Sequence, residues 1–77
     1  MGFFNTKDEV DKIFKEAGFH FEFEREKTSL VRYRKGDWRA DYWCKTGTLG
    51  SYKRHDGAEF LYNVGLEELP FLLSQMK

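Results

Sequence analysis

Two histidines, one cysteine and thirteen Asp or Glu residues are the groups in this chain that could do acid–base, nucleophilic or metal chemistry. Their spacing argues against each. There is no Ser-His-Asp arrangement, no glycine-rich phosphate loop and no His-x-x-x-His. One cysteine and two histidines cannot close a structural zinc site without carboxylates. A lone cysteine also rules out an intramolecular disulfide. Cys44 falls on the inner face of a predicted strand, whereas a reactive thiolate needs an electropositive, partly exposed setting. His55-Asp56 could form an oriented base, but it lies in a turn signal, where histidine is ordinarily solvated. His20 is expected on an outer sheet face, opposite Arg34. Glu22, Glu24 and Asp41 sit near basic partners, which favours ion pairing over the raised pKa of an acid catalyst. No catalytic residue, metal ligand or cofactor is assigned, and a non-enzyme is expected.

A second set of residues points to binding. Arg32, Arg34, Arg39, Trp43, Lys45, Tyr52 and Arg54, with Leu30, alternate onto one face of the predicted strands. Cations that hold phosphates, beside rings on which bases stack, suit single-stranded nucleic acid. Exposed Trp, Tyr and Arg are also the residue types enriched at protein–protein hot spots. A protein partner is the first expectation and single-stranded nucleic acid the alternative. Self-association through this face or through a sheet edge is a further expectation. Charge is segregated: residues 1–24 sum to −3, residues 25–55 to +6 and residues 56–77 to −3, giving zero overall. Zero total charge weakens long-range attraction to a polyanion, while a local positive face survives it.

These side chains need a scaffold. Thr6-Lys7-Asp8-Glu9 reads as a capping box. Val10, Ile13, Phe14 and Ala17 then recur at helical spacing, and Gly18 is a natural stop. A helix is predicted from about Lys7 to Ala17, with Phe3 or Phe4 beneath its start. From Phe19 the period changes to two: Phe19, Phe21 and Phe23 alternate with His20, Glu22 and Glu24. If residues 26–28 close the first hairpin, Phe23 faces Val31 and Phe21 faces Tyr33, both inward, and Glu22 faces Arg32. Gly36-Asp37 fits a two-residue II′ turn. It pairs Tyr33 with Ala40 and Val31 with Tyr42 on the inner face, and Arg32 with Asp41, Arg34 with Arg39 and Leu30 with Trp43 on the outer face. Two successive hairpins agree on the inner face, which supports the register.

Thr46-Gly47 marks the next turn, with two registers open. A two-residue loop sets Trp43 over Gly50 and Tyr52 on the outer face. A three-residue loop turns Leu49 outward and Tyr52 inward. Residues 59–64 form a fifth short strand or an extended lead-in. Leu66, Leu69, Leu72 and Leu73 mark a second helix from about Glu67 to Gln75, with Pro70 in its first turn. The predicted class is α+β, in the order α-β-β-β-β-(β)-α. Residues 1–77 form a single domain, an antiparallel meander sheet with two short helices on one face.

No apolar run approaches the roughly 20 residues of a membrane span, and the start lacks signal-peptide character. A soluble, cytoplasmic protein is expected. Met1-Gly2 followed by Thr6 fits only a loose myristoylation pattern. Eight Phe, four Tyr and two Trp let a chain of 77 residues bury a large area from few side chains.

Two resemblances follow from particular residues. The α-β-β-β-α order, with Glu16-Ala17-Gly18-Phe19 closing the first helix, resembles small double-stranded-RNA-binding-like domains, including HicA-type toxins that cleave mRNA. That family's catalytic histidine sits in a Gly-Ser-His-type strand motif, which this chain lacks, and an extra strand separates the helices here, so the activity is not carried over. Trp43, Thr46-Gly47-Thr48 and Leu66-Glu67-Glu68-Leu69 resemble a pattern in small uncharacterised proteins of phages and mobile elements. There an aromatic strand runs into Thr-Gly-Thr, then a turn and a C-terminal leucine helix. The likeness covers about the last half of the chain, and Cys44-Lys45 stands where a Pro often precedes the turn. It implies a non-enzymatic accessory protein acting inside a bacterial cell by binding a host factor, and it identifies no site residues.

Overall fold

Helix α1 (Lys7–Glu16) begins and ends as its sequence dictates in the computed structural model, which describes residues 6–54 and 56–76. The Thr6 hydroxyl accepts from the Glu9 amide at 3.2 Å, and the Glu9 carboxylate accepts from the Thr6 amide at 3.4 Å. This satisfies two donors that the first helical turn leaves open. At the other end Gly18 takes a φ of +94°, which costs a residue without Cβ nothing. The Phe19 amide then donates to the Phe14 carbonyl at 2.9 Å and the Gly18 amide to the Lys15 carbonyl at 3.0 Å. That is a Schellman closure, and the Phe14 and Phe19 rings supply its apolar contact edge-to-face at 5.4 Å. Lys35 reaches across to donate to the Ala17 carbonyl, placing its charge at the helix's negative end.

Five strands follow in simple antiparallel order: β1 (His20–Arg25), β2 (Leu30–Lys35), β3 (Trp38–Trp43), β4 (Thr48–Lys53) and β5 (Gly57–Leu61). Helix α2 (Leu69–Ser74) closes the chain, so the class and order are those expected. The β2–β3 register is the predicted one, with Tyr33 opposite Ala40, Arg32 opposite Asp41 and Leu30 opposite Trp43. Gly36 carries the positive φ (+59°) that a II′ turn requires at its first position.

The first hairpin departs from expectation. Its loop holds Glu26–Thr28 in a 3₁₀ turn plus Ser29 at a φ of +58°, one residue more than predicted. Near the turn every pair therefore slips by one, and Phe23 lies opposite Arg32 rather than Val31. A bulge between Phe21 and Phe23 takes up the extra residue, so Phe21 meets Tyr33 as expected. Phe23 thus turns to the outer face, and Glu22 pairs with Arg34 instead of Arg32.

The β3–β4 turn also differs. Trp43 pairs with Thr48, leaving Cys44–Gly47 as a four-residue loop, longer than either predicted alternative. A slip of two residues preserves the side-chain faces, so Leu49 points inward and Tyr52 outward, as in the two-residue reading. Trp43 therefore lies over Thr48, and it is Asp41 that faces Gly50. Strand β5 starts and stops earlier than the predicted 59–64. Asn63, at a φ of +58°, ends the extended backbone. Helix α2 is shorter than the predicted 67–75, because Leu66–Glu68 form a turn ahead of it. Leu30 is buried, although it was expected on display. Phe3 and Phe4, expected beneath α1, lie outside the described residues.

Both helices cover the inner sheet face. Val10 and Phe14 of α1 and Leu69 and Leu73 of α2 share one buried cluster with Val31, Tyr33, Ala40, Tyr42 and Leu49. The Phe14 ring stacks on Tyr33 with centroids 4.1 Å apart and planes within 6°. The Tyr42 hydroxyl donates to the Val64 carbonyl, and the Val64 amide donates to the Gly47 carbonyl at 2.7 Å. These bonds fold the segment after β5 back onto the β3–β4 turn.

The Tyr33 hydroxyl, also within the core, donates to Asp11 at 2.7 Å. Burial, then this bond, pushes the Tyr33 pKa far above the ordinary phenol range. Burial also raises the Asp11 carboxyl, but the bonds from Tyr33 and Lys15 outweigh it and leave Asp11 below its ordinary value. A carboxyl depressed in the folded state adds stability above its unfolded pKa and loses it as pH falls through the folded pKa. Asp11→Asn should therefore cost up to about 1 kcal/mol at pH 7, the scale of one hydrogen bond to a charged group with partial exposure. That difference should shrink in urea melts as pH falls below the ordinary carboxylate range; an unchanged gap at acid pH would refute the assignment.

Candidate binding face

Among the described residues no helix lies over the outer sheet face, and its rings pack against one another and against guanidinium groups. Gly50 lies opposite Phe60 on β5. A Cβ built at Gly50 would come within 2.8 Å of the Phe60 ring, so the bare position lets that ring lie down on the sheet. Tyr52 meets Phe60 edge-to-face at 5.8 Å, and Trp43 meets it at 6.4 Å. The Arg39 guanidinium lies over the Tyr52 ring at 4.0 Å, the shortest cation–ring approach among the described residues. Farther along, the Phe23 ring sits within 5.9 Å of the Arg25 guanidinium and 5.5 Å of that of Arg32.

Asp41 is the electrostatic centre of this layer and is only 2 % exposed. It accepts from Arg32 Nε at 2.8 Å and from the second guanidinium nitrogen at 3.3 Å, a fork geometry that favours strong pairing. The bond holds Arg32 charged, raising its pKa. Arg39 Nε stands 3.9 Å from the same carboxylate, is itself buried, and has no hydrogen-bond partner among the described residues. Arg34 is paired with Glu22 at 3.0 Å on the half-exposed rim.

The residues expected to bind do not all come together. Arg34, Arg39, Tyr52 and Arg54 share one open concavity of about 640 Å³ at the end of the face bearing the Gly36-Asp37 turn. Asp37 is the one acid lining it, and it pairs only loosely with Arg54 at 3.8 Å, both side chains being well exposed. Lys53 contributes to the wall, but its ammonium lies over Trp38, 5.3 Å from the ring centroid. Trp43 belongs to the opposite end, with Thr48, Phe60 and Tyr62. Arg32 lies between, its charge taken up by Asp41. Lys45 falls in the β3–β4 turn beside Thr6 and Glu24, away from the other residues.

No protein family, curated protein or solved structure matches this chain. The face itself therefore carries the functional reading. Sequence patterning missed two of its rings. Phe60 was missed because β5 had no assigned register, although a glycine inside a strand is the signal of close approach that Gly50 turned out to mark. Phe23 was missed because turn length decided its face, and no residue in the sequence announces the bulge.

The other candidate groups stay apart. Cys44 is buried beside Ser29, whose carbonyl accepts from its amide, and burial raises the thiol's pKa, which disfavours the thiolate. His20 is exposed opposite Arg34, as expected. His55 lies outside the described residues. Among the described residues no three His, Cys, Asp or Glu side chains gather as a metal site would require, and no helix is long and apolar enough to cross a membrane.

Proposed function

We propose that this protein is a non-enzymatic interaction module that binds a protein partner through its uncovered outer sheet face, in a bacterial cell as the phage-protein resemblance implies. The observation that supports this reading best is the aromatic–guanidinium layer of Arg39, Tyr52, Phe60 and Trp43 on that face. These are residue types that carry binding energy when a partner desolvates them. Much of the face's positive charge is already spent on Asp41 and Glu22, which suits a mixed apolar and acidic protein surface better than a continuous phosphate backbone. The partner would seat apolar side chains against Tyr52, Phe60 and Trp43, and a carboxylate against Arg34, Arg39 and Arg54.

Binding of single-stranded nucleic acid is the second reading, supported by three arginines around one tyrosine in an open concavity. One experiment separates the two. Tagged wild-type protein and the exposed-site variant Arg34→Glu/Arg54→Glu are compared in nuclease-treated bacterial lysate and in titrations with labelled oligo-dT. A protein partner gives nuclease-resistant capture that the variant loses while its far-UV circular dichroism is unchanged. Nucleic acid gives oligo-dT binding that falls steeply with salt and weakens by about 1–3 kcal/mol on Tyr52→Ala. Equal capture by wild type and variant would remove this face from the interface.

A further inference from the structure

The two edges of the sheet are not alike. Strand β1 carries a bulge and ends in charged ion pairs, Glu22 with Arg34 and Glu24 with Lys7. Those are the devices by which a sheet discourages pairing with another chain. Strand β5 has none of them. All five of its residues are exposed, only Glu59 is charged, and it contains neither proline nor bulge. Phe60 and Leu61 remain 43 % and 37 % exposed, and Tyr62 just beyond them 70 %.

The geometry points to β5 as a self-association edge, pairing antiparallel with β5 of a second copy about a two-fold axis at Phe60. Symmetry leaves few registers. An antiparallel pair of identical strands must place one residue opposite itself, because a two-fold axis normal to the sheet keeps each side chain on its own face. Centring on Glu59 would set two carboxylates directly opposite, which is destabilising. Centring beyond Phe60 draws in Asn63, whose positive φ of +58° ends the strand. Centring on Phe60 sets ring against ring, Glu59 against the partner's Leu61, and Ala58 against the partner's Tyr62. No like charges meet, and a formal net charge of zero adds no long-range repulsion between copies. Because Phe60 lies on the outer face, this register would join the two Tyr52–Phe60–Trp43 clusters into one surface across the axis. The pairing rests on the edge alone and stands whether or not a heterologous partner uses the face.

Sedimentation velocity over a hundredfold concentration range tests it. A reversible shift from 9.2 kDa to twice that mass is expected for the wild type. Phe60→Lys should sediment as a monomer at every concentration, and Phe71→Lys, on the exposed side of α2, should leave the dimer intact. Mixed labelled and unlabelled protein should show isotope-filtered contacts between the Phe60 rings of the two copies. Backbone amides of β5 should gain hydrogen-exchange protection as concentration rises, which reports on the edge without any substitution. A wild-type monomer throughout, or a dimer that survives Phe60→Lys, would overturn the proposal.

Discussion

Phe14→Ala should remove a large share of the folding stability at 25 °C. The Phe14 ring is fully buried, stacked on Tyr33 at 4.1 Å and edge-on to Phe19 at 5.4 Å. It joins α1 to the residue leading into β1 and to β2 at one point. Truncating a buried phenylalanine costs about 3–5 kcal/mol, transfer and cavity combined. A chain of this length has roughly 4–12 kcal/mol to lose. Nothing covalent holds the fold if that contact goes, because the single cysteine is free. The same truncation also unseats Tyr33, whose hydroxyl holds Asp11 on α1. Urea melts followed by circular dichroism would measure the loss, with Phe71→Ala as the control. Phe71 is 66 % exposed, so its truncation should change stability by less than about 0.5 kcal/mol. A Phe14→Ala protein within 1 kcal/mol of wild type would be incompatible with the stacked core described above.

Asp41→Ala is the second large effect, about 2–4 kcal/mol of stability, because it strands two guanidinium groups on a half-buried face. Arg32 is 29 % exposed and Arg39 33 % exposed at their side chains, so water recovers part of the loss and keeps it under the roughly 5 kcal/mol that a fully buried pair can lose. The diagnostic result is the double variant. Replacing both members of a buried pair with apolar residues is often nearly neutral, so Asp41→Ala combined with Arg32→Met should recover most of what Asp41→Ala alone loses. If the two substitutions simply add, the fork between Arg32 and Asp41 does not couple them, and the electrostatic account of the face fails. Asp41→Ala should also weaken partner capture, since Arg39 would then lack the carboxylate that helps hold it over Tyr52.

How far the sequence could be read depended on whether local chemistry or loop length decided the outcome. Helix α1 was legible end to end, because a capping box and a glycine stop act within four residues of the atoms they satisfy. The β2–β3 hairpin was legible for the same reason: Gly36 dictates a two-residue turn, and the turn dictates every pair behind it. The flanking hairpins were not. Ser29 and Cys44 joined their loops rather than their strands, each lengthening its turn beyond the predicted span. The first slip was odd, so it turned Phe23 to the outer face and exchanged Arg32 for Arg34 as the partner of Glu22. The second was even relative to the two-residue reading, so Tyr52 kept its face.

Of the binding residues, Arg34 and Arg39 could be placed on one face from alternation alone, since alternation assigns a face without assigning a position along it, whereas the face of Tyr52 and Arg54 waited on the length of the β3–β4 turn. Separating Trp43 and Lys45 from them required the register, which sets distance along the strands. Finding Phe60 required β5, whose pairing no turn residue fixes uniquely. By itself, then, the sequence determined the class, the strand order and the polarity of the sheet, because period-two and period-3.6 patterns are local and strongly driven by burial. Only the tertiary structure decided which rings meet which cations, because one extra residue in a loop costs almost nothing locally yet moves every side chain on the strand beyond it.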